Sequence, residues 1–280
     1  MIKLSKDIKI GCDPEFFLID EQGEPQSAIG LIGGSKENPT SIGRDCYIQE
    51  DNVAVEFNVP PCDNSKDLGE YIRYTVDFIE GLIYILHLKP HIVPSCHFKE
   101  DQLLHPMAKA FGCTPDYCAW NDGEMNDSPE PPESLRTAAG HIHISFPEAD
   151  MKEETNKMEF KMAFIKALDL FLGVPSVVFD TDTERRSVYG KAGCFRDKMW
   201  GLEYRVLSNF WIRDQSAIEW VYENVQRAYN FTKEGNRITP DIGSRIIWAI
   251  NGNDIDLANK LINEFNLSKI CAASLDTVLK

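Results

Sequence analysis

In four segments of the sequence, charged or metal-ligating side chains fall on one face of a predicted strand, and this arrangement constrains the fold more than any other feature. The segments are residues 8–20, 47–59, 138–146 and 201–211. Successive side chains of a strand point to opposite faces, so each segment has one apolar and one polar face. Such strands form an antiparallel sheet whose dry side is covered by helices. The sequence therefore predicts an α+β fold built on a curved antiparallel sheet.

The polar faces carry an unusual set of side chains. They hold Asp13 and Glu15 in the first segment, Asn52, Glu56 and Asn58 in the second, His141, His143 and Ser145 in the third, and Glu203, Arg205 and Asn209 in the fourth. Carboxylates crowded on one face repel each other unless a cation neutralises them. Magnesium and manganese prefer carboxylate oxygens, and a histidine can complete their coordination. We therefore expect a divalent metal site on this face.

Apolar residues recur at helical spacing in five other segments. The predicted helices are residues 65–87, 152–172, 215–231, 240–250 and 254–266, the first capped by Asn64 or Ser65 and the second ended by Gly173 and Pro175. We expect the first two to pack on the outer face of the sheet in a catalytic domain of residues 1–213. The last three predict a C-terminal helical layer, residues 214–280, packed on the same domain.

A cluster of basic residues stands out in a chain whose net charge is −15. Five cations lie within fourteen residues, among three glycines: Arg185, Arg186, Lys191, Arg196 and Lys198. A solvated surface loop is one interpretation. The other is an anionic ligand, and cations beside divalent metals indicate a polyphosphate, whose oxygens bind both. The acidic balance argues against binding of nucleic acid through a broad basic surface.

Other sequence signals limit the compartment and the cofactors. The first ten residues lack the apolar run of a cleavable signal, and we find no 18-residue apolar stretch that would span a membrane. Eight cysteines without a CxxC pair indicate reduced thiols and a cytoplasmic protein. His105, Cys113 and Cys118 lack the spacing of a four-ligand zinc site. Gly33 to Lys36 lack the GK[ST] ending of a phosphate-binding loop.

Four sequence blocks, in this order, resemble one known family. They are G-x-D-P-E-F (11–16), E-D-N-x-x-x-E-x-N (50–58), G-H-I-H-I-S (140–145) and R-x-x-Y-G-x-A-G-x-F-R-x-K-x-x-G-x-E-Y-R (186–205). The chain resembles the phage-type COOH–NH2 ligase family, type 2, of the glutamine synthetase and glutamate–cysteine ligase superfamily. The resemblance implies a glutamine synthetase-like sheet that cups ATP and magnesium or manganese ions. It further implies an acyl-phosphate intermediate that an amine attacks to give an amide, ADP and phosphate.

The resemblance also assigns roles to particular residues. It implies a metal site formed by Asp13, Glu15, Glu56, His141 or His143, and Glu203. It also implies a phosphate site formed by Arg185, Arg186, Arg196, Lys198 and Arg205. Among these, Arg205 is expected to contact the transferred phosphoryl group, and the two histidines are expected near the nucleotide phosphates. The implied substrates are a small-molecule or peptide carboxylate and an amine. The implied location is the cytoplasm, that of a host cell if the protein is phage-encoded. The superfamily is often oligomeric, and the oligomeric state of this chain stays open.

Three other interpretations of the same residues stay open. A phosphotransferase on a related sheet would stop at phosphate transfer. A metal-dependent hydrolase would use His141, His143 and the acids without ATP, but would leave the basic cluster without a purpose. A non-enzymatic binding protein would not need the complete set of acids, histidines and arginines.

Overall fold

The computed structural model describes residues 8–109, 116–126, 132–147, 154–267 and 270. It has the predicted α+β fold, with a large antiparallel sheet and helices packed on it. Residues 1–7, Cys113 and parts of the predicted segments 152–172 and 214–280 lie outside the described residues.

The described residues form thirteen strands. They are β1 (Lys9–Ile19), β2 (Pro25–Gln26), β3 (Thr40–Gly43), β4 (Cys46–Asp51), β5 (Ala54–Cys62), β6 (Lys89–His91), β7 (Ser95–His97), β8 (Tyr117–Cys118), β9 (Glu124–Met125), β10 (Leu135–Thr137), β11 (Gly140–Ser145), β12 (Cys194–Lys198) and β13 (Gly201–Tyr204). Eleven of them make one sheet in the order β3-β4-β5-β1-β11-β13-β12-β8-β9, with β2 and β6 also paired to β1. The long central strand β1 therefore joins the two halves of the sheet.

The seven α-helices of the described residues follow the predicted pattern closely. They are α1 (Ser65–Ile83), α2 (Glu154–Leu168), α3 (Val174–Phe179), α4 (Glu184–Val188), α5 (Gln215–Lys233), α6 (Pro240–Asn251) and α7 (Ile255–Glu264). The Asn64 side chain caps α1 by accepting the Asp67 N–H, as the sequence predicts. Helix α5 packs against both α1 and α2, and the C-terminal helices share one hydrophobic core with the sheet. A boundary after residue 213 stays a prediction.

The predicted end of the second long helix, at Gly173 and Pro175, is wrong. A π-helical segment, Asp169–Gly173, follows α2 directly and leads into α3, which extends to Phe179. Pro175 lies in the first turn of α3, where its missing N–H costs no intrahelical hydrogen bond. The widened π-helical turn therefore lets the chain continue as a helix past a residue that usually stops one.

The prediction that the chain has no apolar stretch long enough for a membrane is also wrong. By length and composition alone, the continuous helix Lys157–Phe179 is long and apolar enough to cross a membrane. However, 67% of its most apolar window is buried inside the protein, where Phe164, Ile165 and Leu168 belong to the main hydrophobic core. This burial is typical of a core helix.

Two predicted strands are shorter than the sequence pattern suggests. The segment 47–59 is a hairpin of β4 and β5, because Asn52 takes a left-handed conformation (φ 57°) that turns the chain. In the segment 201–211, β13 ends at Tyr204, and a 3₁₀ helix begins at Asn209. Arg205 and Asn209 therefore do not share a strand face with Glu203.

Gly140 allows the 3₁₀ helix to pack closely on β11. A Cβ atom at this position would lie 2.3 Å from the Ser208 carbonyl oxygen and 2.5 Å from Nε1 of Trp211. The buried indole of Trp211 donates from this nitrogen to the Gly140 carbonyl oxygen (3.1 Å). A side chain at residue 140 would therefore separate the two segments that meet beside the polar face of the sheet.

Candidate active site

The strand register places the predicted site residues in a row across five neighbouring strands. Glu56 of β5 pairs with Glu15 of β1, and Asp13 of β1 pairs with His141 of β11. Glu203 of β13 lies between its register partners His143 of β11 and Arg196 of β12. These side chains line one cavity of about 410 Å³, together with Lys36, Pro39, Tyr47, Gln49, Asp51, Asn58, Lys198 and Arg205.

The first metal-ligating group consists of Asp13, His143 and Glu203, whose ligand atoms lie within 4.8 Å of one another. Oδ1 of Asp13 is 3.1 Å from Nε2 of His143. Both atoms are buried, and neither makes a hydrogen bond within the described residues. Burial favours the neutral acid, but the neighbouring imidazoles outweigh it and hold the pKa of Asp13 well below its ordinary value. An ionised carboxylate, an imidazole and a second carboxylate fit a divalent cation.

The second group consists of Glu15, Asp51 and Glu56, again with ligand atoms within 4.8 Å. Burial, and then the charge of Asp51, raises the pKa of Glu15 to about 8. Burial and the charges of Asp13 and Glu15 raise the pKa of Glu56 well above its ordinary value. The backbone N–H of Ala139 donates to Oε2 of Glu15 (2.9 Å), which holds this carboxylate in place. Three acids with little positive charge among them also fit a divalent cation.

Positive charge gathers around the first group. Lys198 Nζ lies 3.0 Å from Oε2 of Glu203, and Arg196 NH1 lies 3.4 Å from Oε1. The guanidinium of Arg205 also contacts Oε1 of Glu203. Burial alone would raise the pKa of Glu203, but His141 and the guanidinium groups lower it to about 2. The cavity thus has an acidic end at Glu15 and Glu56 and a mixed, cation-rich end at Glu203.

His141 lies behind the acids and is turned toward a tyrosine. Its Nε2 is 2.9 Å from the Tyr189 hydroxyl, whereas its Nδ1 is 3.4 Å from Asp13 and 3.7 Å from Glu203. Burial and the charge of Arg205 lower the pKa of His141. The structure therefore places His143, and not His141, in the group with metal-ligating geometry, although both histidines line the cavity.

Arg185 and Arg186, predicted to bind phosphate, do not line this cavity. Both are buried in α4, where the guanidinium of Arg185 donates to the carbonyl oxygens of Val206 (3.0 Å) and Leu207 (2.8 Å). Arg186 donates to the hydroxyl of Ser176 (2.8 Å). Arg185 thereby holds the segment after β13 in place, whereas Arg186 joins α4 to α3, and neither arginine is among the residues that line the cavity.

Sequence reasoning missed three residues that contact the site. The sequence pattern predicts one strand over residues 47–59, but Asp51 is the last residue of β4. The turn residue Asn52, directly after it, is the signal that could have located Asp51. Asp116 precedes β8 and lies 2.6 Å from Nε of Arg205 through its Oδ1. The hydroxyl of Tyr189 contacts both His141 and Arg205. No local sequence pattern distinguishes Asp116 from the other acids.

Three solved structures align with most of this chain at low sequence identity. The bifunctional glutathione synthetase from Pasteurella multocida aligns with 93% of this chain and 49% of its own, at a TM-score of 0.48 and 9% identity. A GmaS/ADP complex aligns with 98% of this chain and 73% of its own, at a TM-score of 0.38 and 12% identity. A glutamine synthase homolog aligns with 92% of this chain and 66% of its own, at a TM-score of 0.38 and 10% identity. The chain spans about half the length of the first of these proteins.

No curated protein matches the sequence significantly. The sequence model of one family, described as phage phiEco32-like COOH.NH2 ligase, type 2, matches residues 97–229, a little under half of the chain. The matched segment contains β11, β12 and β13, and so it supplies His143, Glu203 and the cations around them. This match agrees with the resemblance read from the sequence, and two of the four blocks, residues 140–145 and 186–205, lie within it.

Proposed function

We propose that the protein is an ATP-dependent carboxylate–amine ligase that forms an amide bond through an acyl phosphate. One observation supports this function best: two metal-ligating groups and four cationic side chains line the same cavity. A site for a carboxylate substrate alone would not need both features, whereas a triphosphate binds divalent metals and guanidinium groups together. The match of residues 97–229 to a ligase family is consistent with the same reaction.

Asp13, His143 and Glu203 would hold one magnesium or manganese ion, and Glu15, Asp51 and Glu56 would hold another. Ions bound there would neutralise the β- and γ-phosphates of ATP and polarise the bond that breaks. The acidic side chains would orient the triphosphate indirectly, because they determine where the metal ions, and with them the positive charge, lie along the sheet. The imidazole of His141 would keep the Tyr189 hydroxyl in contact with Arg205.

Arg196, Lys198 and Arg205 would stabilise the oxygens of the phosphoryl group in transfer. A substrate carboxylate oxygen attacks the γ-phosphorus, and the bond to the bridging oxygen breaks, so that ADP leaves with the electron pair. The amine then attacks the acyl carbon, phosphate leaves, and a proton is released. Removal of one such electrostatic donor typically costs about 10²- to 10³-fold in rate.

The cavity brings both substrates beside ATP, which supplies the proximity contribution of a bisubstrate reaction. We propose small-molecule or peptide carboxylates and amines as substrates, and the cytoplasm as the location. A phosphotransferase would use the same groups but would release product without an amine.

The test is ADP release with magnesium, screened over amino acids, polyamines and peptides, with mass spectrometry of the product. Hydroxylamine should trap the acyl phosphate as a hydroxamate when the carboxylate substrate and ATP are present. ADP release that requires no amine would favour the phosphotransferase. Turnover without ATP would instead favour the hydrolase.

A further inference from the structure

Asp116 contacts the guanidinium group that the reaction needs most. It lies immediately before β8, and its side chain is only 11% exposed. Oδ1 of Asp116 is 2.6 Å from Nε of Arg205 and 3.8 Å from Nε of Arg196. Asp116 belongs to neither metal-ligating group, so its carboxylate is available to arginine alone among the acids of this region.

The contacts of Arg205 are divided among its three nitrogens. Nε faces Asp116, NH1 contacts Glu203 and lies 3.3 Å from Nδ1 of His141, and NH2 contacts the Tyr189 hydroxyl. Each nitrogen therefore has a partner from a different element of the fold. Contacts on all three nitrogens together fix the orientation of the planar guanidinium.

Metal binding would disturb one of the three contacts. Glu203 is the partner of NH1 and also a member of the first metal-ligating group. A carboxylate oxygen that ligates a divalent cation attracts a nearby guanidinium less strongly, because the cation neutralises its charge. The contacts of Arg205 with Asp116 and Tyr189 do not depend on that oxygen.

We propose that Asp116 is a positioning residue, which holds Arg205 through Nε so that its terminal nitrogens stay directed at the transferring phosphoryl group after Glu203 binds a metal ion. This inference rests on the proposed ligase function. Pairing of β8 does not require the side chain, since β8 pairs with β12 through Tyr117 and Cys118, and Asp116 accepts the Asn126 N–H through its backbone oxygen. The contacts of the Asp116 carboxylate therefore serve something other than the pairing of β8 with the sheet.

The kinetic test compares Asp116→Asn with Asp116→Glu and with Glu124→Gln. Glu124 lies on β9 of the same hairpin, is exposed, and offers a matched loss of one negative charge. In ADP release we expect Asp116→Asn to lower kcat about 10²-fold, because a misdirected donor loses most of its effect, with the KM for ATP changed less than about threefold. Asp116→Glu should recover part of the rate, and Glu124→Gln should match the wild type. An Asp116→Asn variant with wild-type kcat would overturn the proposal, as would a rise in KM alone.

A second measurement does not depend on turnover. In protein labelled with ¹⁵N-arginine, the Nε–H signal that is lost in Arg205→Lys identifies this side chain. We expect the signal to exchange slowly with solvent in the wild type, with and without magnesium and a non-hydrolysable ATP analogue, and to exchange at least about tenfold faster in Asp116→Asn. Equal exchange in the two proteins would overturn the proposal, provided that their thermal unfolding agrees. If the wild type releases no ADP, the ligase function fails, and the exchange rates still decide whether Asp116 holds Arg205.

Discussion

Glu15 of β1 and Glu56 of β5 are register partners across the sheet, and beside Asp51 the side chain of Glu56 is buried and that of Glu15 partly buried. Burial and the charge of Asp51 raise the pKa of Glu15 to about 8, and burial raises that of Glu56 in the same direction. Near pH 7 this part of the cavity therefore retains protons that a divalent cation would displace. Metal binding and proton release are coupled at this pair.

Magnesium binding should release protons at pH 7, and the affinity should rise as the pH increases toward 8. The sign follows from the raised pKa, because the carboxylic acid must lose its proton before it can ligate the metal. Calorimetric titration in buffers of different ionisation enthalpy measures the number of protons released. Glu15→Gln should release fewer protons per magnesium ion than the wild type, and a pH-independent affinity in the wild type would contradict the coupling.

Glu203→Gln and Glu56→Gln should each abolish ADP release while the protein stays folded. Each variant removes a charged oxygen from a different metal-ligating group, so the two together test whether both groups are needed. Circular dichroism and thermal unfolding check the fold. Glu80→Gln, on the exposed side of α1, is the control that should retain full activity. Full activity in both site variants would remove the basis of the ligase assignment.

His143→Ala should weaken binding of manganese more than His141→Ala does. His143 belongs to the first metal-ligating group, whereas Nε2 of His141 faces the Tyr189 hydroxyl. Loss of one ligand should lower the affinity about tenfold or more, and loss of a neighbour that orients other groups should lower it less. Electron paramagnetic resonance of free manganese reports both affinities. The reverse order would return His141 to the metal site.

The sequence predicts which face of each strand is polar but not which residues meet. Strand alternation alone places Asp13 and Glu15 on one face of β1, and His141 and His143 on one face of β11. Their assignment to two different metal-ligating groups depends on the strand order and register, which join segments far apart in the chain. Local periodicity carries no information on such pairing.

Burial explains why most of the basic cluster stays away from the cavity. Five cations close together predict an anionic ligand, but of these five only Arg196 and Lys198, both on β12, line the cavity. Arg185 and Arg186 lie on the short helix α4, and their guanidinium groups satisfy backbone carbonyls and a hydroxyl inside the protein. The sequence shows how many charged residues lie close together, whereas the fold determines which of them can contact a ligand.

Asp169→Asn should change the pH dependence of stability. The buried Asp169 carboxylate accepts hydrogen bonds from Trp120 Nε1 (2.6 Å) and the Tyr204 hydroxyl (2.8 Å), yet burial raises its pKa from 3.8 to about 7. The folded protein therefore binds a proton more tightly than the unfolded chain does. This contribution to stability is complete below pH 3.8 and is lost as the pH rises toward 7.

The stability of Asp169→Asn relative to the wild type should therefore increase as the pH rises from 4 to 7, because only the wild type loses this contribution. Urea unfolding at several pH values measures this difference. A difference that stays constant with pH would show that Asp169 is ionised throughout the range. Asp182→Asn, at a more exposed carboxylate of the same region, is the control.

Gly140→Ala should destabilise the protein, whereas Gly81→Ala should not. The new methyl group at residue 140 would lie 2.3 Å from the Ser208 carbonyl oxygen, and backbone atoms cannot move aside as a flexible side chain can. We expect a loss of about 1–3 kcal/mol, as for other overpacked sites. Because β11 also carries His143, the displacement should reach the cavity and lower the affinity for manganese in the same variant.

Gly81 lies in α1 with no other atom within 4 Å of its added Cβ, so alanine there should stabilise the helix by about 0.5–1 kcal/mol. Chemical denaturation of the two variants measures both effects, and equal stability of Gly140→Ala and the wild type would show that the contact between β11 and the 3₁₀ helix is looser than the structure indicates.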